Sequence, residues 1–118
     1  MARVILAGKD WQARALVRAQ LLEDGVEVEA YQTVAEAIEG ISETLPALMI
    51  ADLIESEEPA HEIEQLAQWT RQFPVWILAG RNLIAGSTLR GRGFEMILFR
   101  PTDVGELVEQ IKRRIEET

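Results

Sequence analysis

The sequence contains no cysteine and a single histidine, His61. Disulfides, thiolate metal centres and cysteine nucleophiles are excluded together, and so is a metal site built from several imidazoles. Long apolar runs are also missing. No stretch approaches the roughly 18 consecutive apolar residues of a membrane span. The apolar segment near the N-terminus runs only from Val4 to Ala7, too short for a secretory signal. The expectation is a cytoplasmic protein without a membrane partner. Positive charge is scarce: 12 Lys and Arg stand against 20 Asp and Glu, a formal net charge of −8. Such a chain is a poor non-specific nucleic-acid binder, because phosphate neutralisation supplies most of that affinity. A P-loop is absent too. Gly8-Lys9-Asp10, Gly80-Arg81-Asn82 and Gly91-Arg92-Gly93 lack its Gly-Lys-Ser/Thr ending, and simple turns explain their glycines.

What is present is an ordinary globular balance, 47% hydrophobic and 27% charged, in 118 residues. That length points to one domain spanning 1–118, large enough to bury roughly two thirds of its unfolded surface. The charge is uneven. Residues 1–64 carry 14 acidic and 4 basic side chains, −10, whereas residues 65–118 carry 6 and 8, +2. Ordinary solvated faces explain this distribution, and a charge-matched protein contact through the basic second half is the alternative.

Apolar runs alternate with helical spacing along the chain. Arg3–Ala7 reads as a buried strand, and Trp11, Ala15, Ala19 and Leu22, widened by Leu16, read as the core face of a helix ended by Gly25. Val26–Ala30 alternates strictly, with Glu27 and Glu29 on one side, the pattern of an edge strand. Thr33 with Glu36 forms a capping box for a second helix. Ala47–Asp52 is a continuous apolar run ending in one carboxylate, the mark of a strand buried on both faces. Ile63, Leu66, Ala67, Thr70 and Phe73 mark a third helix face, Val75–Ala79 a fourth strand, 83–90 a weak helix, and Glu95–Phe99 a fifth strand. Asp103 with Glu106 starts a final helix through Val104, Leu107, Val108, Ile111 and Ile115. Strand and helix thus alternate five times. The expected fold is a doubly wound α/β sheet of five parallel strands, most simply in the flavodoxin-type order 2-1-3-4-5.

Chemistry in such sheets gathers at the carboxyl ends of the strands. The residues delivered there are Gly8, Lys9 and Asp10, then Asp52, then Ala79 and Gly80, then Arg100 and Pro101. One carboxylate is flanked by candidate cations. Whether Lys9 touches Asp52 is left open by the sequence; an ammonium beside that carboxylate would favour its ionised form. The acidic loop Glu55, Glu57 and Glu58 reads as solvated, and so does His61.

On these residues the whole chain resembles a response-regulator receiver domain of the two-component systems, of the chemotaxis-regulator type. The resemblance implies that Asp52 holds the phosphoacceptor position and that Arg100-Pro101 stands where the family carries Lys-Pro. It also shows departures. The two acidic residues with which receivers hold Mg²⁺ appear here as Gly8 and Lys9, leaving Asp10 and Asp52 as weak metal candidates. The switch Ser/Thr aligns with Ala79 and the switch aromatic with Ile97. Arg100 keeps the charge of the family's lysine but changes its geometry.

The resulting expectation is a signalling or interaction module with an atypical site, weak or no Mg²⁺-dependent phosphorylation, no catalytic residues and no cofactor. Its partner would be a protein, a histidine kinase or a downstream signalling protein. A homodimer or partner contact would use the face of the fourth helix, fifth strand and fifth helix. One alternative keeps Asp52 as a working phosphoacceptor, with Mg²⁺ and help from Asp10. A further alternative is a flavodoxin-like binder of a small ligand in the same crevice.

Overall fold

The five apolar segments pair into one sheet. β1 (Arg3–Ala7), β2 (Glu27–Tyr31), β3 (Leu48–Asp52), β4 (Val75–Ala79) and β5 (Met96–Phe99) run parallel in the order β2-β1-β3-β4-β5. The computed structural model describes residues 2–41, 44–80, 89, 91–99 and 103–117, with Trp11 by its backbone alone. The helix expected over 83–90 lies outside the described residues except for Leu89, which is buried. Four helices are described: α1 (Trp11–Glu23), α2 (Val34–Glu39), α3 (Pro59–Ala67) and α4 (Val104–Glu116).

Continuous apolar strands are needed because both sheet faces are covered. Side chains alternate between the faces along each strand. Ile5, Met49, Ala51, Val75 and Ile77 join a core with Val34, Ala37, Ile63 and Leu66 of α2 and α3. Val4, Leu6, Leu48, Ile50, Trp76 and Leu78 join a second core with Val17, Leu21, Leu107, Val108 and Ile111 of α1 and α4. β2 and β5 are the edges, and β2 carries Glu27 and Glu29 as its spacing requires.

Local chemistry fixes the helix ends. Asp10, Thr33 and Asp103 each accept a backbone N–H in the first turn of α1, α2 and α4. The end of α1 is a Schellman motif. Val26 N donates to Leu21 O, Gly25 N donates to Leu22 O, and Gly25 adopts φ 79°. Beyond α3, Trp69 and Phe73 stack with ring centroids 5.9 Å apart.

The face of α1 differs from expectation. Val17 and Leu21 are buried against the sheet, whereas Ala15, Leu16, Ala19 and Leu22 are exposed. At 100° per residue the two sets lie on opposite sides of the helix. Val17 and Leu21 pack with Leu6, Ile50 and Leu107 in the core on this side of the sheet. The alanines complete an apolar stripe in the sequence but bury little surface.

Candidate functional site

The pairing of Ala7 with Ala51 brings the ends of β1 and β3 together, so the next residues along each strand, Gly8 and Asp52, are neighbours. They are in close contact. A Cβ built on Gly8 would lie 2.8 Å from Asp52 Cβ and 3.0 Å from its carbonyl oxygen. Gly8 N also donates to Tyr31 O at 3.0 Å, which extends the ladder to β2.

Asp52 is 8% exposed, the one buried charged residue among those described. Its Oδ1 accepts from Ile54 N at 3.1 Å, a local turn that shapes the loop leaving β3. Leu53 N donates to Leu78 O at 2.9 Å and holds the same loop to β4.

Lys9 follows Gly8, and its ammonium pairs with Glu57 at 3.3 Å. The pair ties Lys9 to the loop that follows β3. Glu57 was not legible as a partner because its position depends on how that loop folds. Ser56 donates to Glu62 Oε1, and Glu62 Oε2 accepts from Val34 N at 3.2 Å. Glu58 N donates to Ser56 Oγ at 3.2 Å. Glu62 thus ties the loop to the start of α2. Its place in the first turn of α3, four residues after Glu58, is the sequence signal for such a role.

Asp10 stands beyond Lys9 and caps α1, its Oδ1 accepting from Ala13 N at 3.2 Å. It lines, with Asp52, a cavity of about 360 Å³ whose other walls are mainly apolar side chains of β1, β3, β4, α1 and α4. On the other side of Asp52, the opening bordered by Gly8, Lys9, Ser56 and Glu62 measures about 10 Å³. That is about the room one water requires.

Ala79 ends β4 fully buried, and Gly80 follows, partly exposed. Ile97 is partly buried and packs on the core of α2 and α3. Arg100 and Pro101 lie outside the described residues. His61 is exposed near the start of α3. Among the described residues, no three His, Asp or Glu side chains are grouped to hold a metal.

Next to the site, Tyr31 donates its hydroxyl to Glu29 Oε1 at 2.7 Å. That bond raises the phenol pKa above its ordinary value. Burial and the Glu29 charge act in the same direction, and Arg3 opposes them.

No family model matches the chain, and no curated protein does. Solved structures match it over nearly its whole length. A CheY-like response regulator receiver domain protein from Methanospirillum hungatei JF-1 is 20% identical, with a TM-score of 0.80, covering 99% of this chain and 95% of that one. The fold is that of receiver domains. The non-phosphorylated HemR receiver domain from Leptospira biflexa is 21% identical, with a TM-score of 0.80, over 100% and 97% of the two chains. The receiver domain of the Francisella response regulator 1452 is 17% identical, with a TM-score of 0.79, over 99% and 98%. The order β2-β1-β3-β4-β5 agrees with the order expected for a receiver. Among the described residues, no helix is long and apolar enough to cross a membrane.

Proposed function

We propose that this chain is a cytoplasmic, non-enzymatic signalling module of receiver fold, acting through protein contacts, in which Mg²⁺-dependent phosphorylation of Asp52 is weak or absent. The observation that carries this reading is the closeness of Gly8 to Asp52, 2.8 Å for a Cβ on Gly8. A carboxylate at position 8 has no room in this arrangement, and the next position carries an ammonium. Mg²⁺ requires octahedral oxygen ligands, usually including one or two carboxylates. The residues on this side of Asp52 do not fit such an ion. Ala79 offers no hydroxyl and Ile97 no aromatic ring, so the expected switch lacks both parts.

Asp52 then serves as a buried anion that shapes its loop through Ile54 N. The partner in this reading is a protein, a histidine kinase or a downstream signalling protein. Partner contact in this reading uses the β5 and α4 side, where Phe99 is 51% exposed at the end of an edge strand. The test is an amide NMR titration with Mg²⁺. The reading predicts no saturable shifts at Gly8, Lys9, Asp10 or Asp52. Saturable shifts at these residues in the millimolar range overturn it.

A second reading rests on a separate observation: Asp10 and Asp52 line the same cavity. Under it Asp52 accepts phosphate with Asp10 assisting, and Asp10→Asn abolishes the Mg²⁺ response.

A further inference from the structure

Helix α1 is apolar on two sides. Val17 and Leu21 face the core, while Ala15, Ala19 and Leu22 are exposed on the opposite side, Leu22 at 47%. Leu16, 56% exposed, stands at the rim of this outer face. The outer residues form a narrow apolar stripe bordered by polar and charged side chains, the pattern of a contact surface with a polar rim. On its inner side, Val17 and Leu21 join the core with Leu6 of β1, Val28 of β2 and Leu107 of α4.

The charges around the outer face indicate what covers it. Arg18 flanks the stripe on one side, and Glu23 with Gln12 flanks it on the other, as 100° per residue requires. Neither Arg18 nor Glu23 makes an ion pair among the described residues. Arg3, Lys9, Arg92, Lys112 and Arg114 each have a carboxylate of their own chain, whereas Arg14, Arg71 and Arg113, like Arg18, have no ion pair among the described residues. Arg18 and Glu23 are five residues apart, the spacing at which flanking charges of two parallel helices meet across their seam. Antiparallel pairing sets like flanks together, Arg18 against Arg18 and Glu23 against Glu23. The charge pattern therefore fits a parallel copy of the same helix.

We propose that α1 is a self-association surface on which two copies of this chain pair in parallel. Ala15, Ala19 and Leu22 form the seam, and Arg18 of each copy meets Glu23 of the other. Ala15 and Ala19, one turn apart, let the helix backbones approach, and Leu22 supplies the apolar anchor. A contact confined to one 13-residue helix buries less than the roughly 1,200 Å² of stable complexes, so the pair is weak and reversible. It does not depend on the chemistry of Asp52.

Sedimentation velocity of the full chain up to about 1 mM tests the pair. The expected result is a concentration-dependent dimer. Leu22→Glu, at an exposed position and with its fold checked by circular dichroism, weakens the dimer about tenfold or more. Arg18→Glu and Glu23→Arg each weaken it, and the combined variant recovers the wild-type dimer. Phe99→Ser leaves it unchanged. A strict monomer at all concentrations overturns the proposal. A dimer that withstands Leu22→Glu, or is lost with Phe99→Ser, overturns it too. A combined charge swap no better than its parents overturns the parallel arrangement.

Discussion

Gly8 meets Asp52 so closely that a Cβ on Gly8 would stand 2.8 Å from the Cβ of Asp52 and 3.0 Å from its carbonyl oxygen. The contact follows from register, since Ala7 pairs with Ala51 and the two strand ends continue side by side. Any side chain at position 8 must push the strand ends apart. Gly8→Ala is expected to destabilise the fold by about 1–3 kcal/mol, the usual range for overpacking a buried site. Urea unfolding followed by tryptophan fluorescence measures this. An unchanged midpoint means that the strand ends separate freely and that position 8 is open to a larger side chain.

At the opposite edge of the sheet, Glu95 holds two donors. Arg114 Nε approaches it at 2.8 Å, and the indole N–H of buried Trp76 donates to it at 2.8 Å. The Arg114 bond holds the carboxyl below its ordinary pKa. Burial opposes that shift, and the Trp76 bond reinforces it. A carboxyl depressed in the folded state binds fewer protons there than in the unfolded chain. Its stabilisation is therefore present above the ordinary value of about 4.3 and is lost as pH falls through the lower folded value. Glu95→Gln should make the melting temperature fall less steeply on acidification from about pH 6 to pH 3. Parallel curves for variant and wild type would contradict the depressed pKa.

Gly40 closes α2 at an ordinary φ of −77°, so its backbone does not demand glycine. The neighbour in the way is the tip of a side chain: a Cβ there would lie 2.5 Å from Tyr31 Cζ and closer still to the hydroxyl. Gly40→Ala is expected to displace the partly exposed Tyr31 ring at a cost of up to about 1 kcal/mol, and less when Tyr31→Phe has removed the hydroxyl. Additive costs in the double variant would show that the ring, rather than the hydroxyl, sets the limit.

Strand order, the edge position of β2 and the place of Asp52 were legible because apolar runs and alternation report directly on burial. The face of α1 was not. The helix carries apolar residues on two sides, Ala15, Leu16, Ala19 and Leu22 on one and Val17 and Leu21 on the other, and periodicity alone does not say which side meets the sheet. The Lys9–Glu57 pair was hidden for a different reason. Its partners lie on separate loops, and charge in a sequence does not say which loop folds back. Gly8 could be read as a missing carboxylate, but its closeness to Asp52 needed the strand register. The Trp76–Glu95 bond followed the same logic, since a buried indole demands an acceptor without naming it.

On the proposed function, Asp52 is a buried side chain in a receiver fold and a poor phosphoacceptor. The direct measurement is intact mass after incubation with acetyl phosphate and Mg²⁺, for wild type and Asp52→Asn. Little or no phosphorylated species is expected in either. A stoichiometric species one phosphoryl group heavier in the wild type, lost in Asp52→Asn, would contradict it.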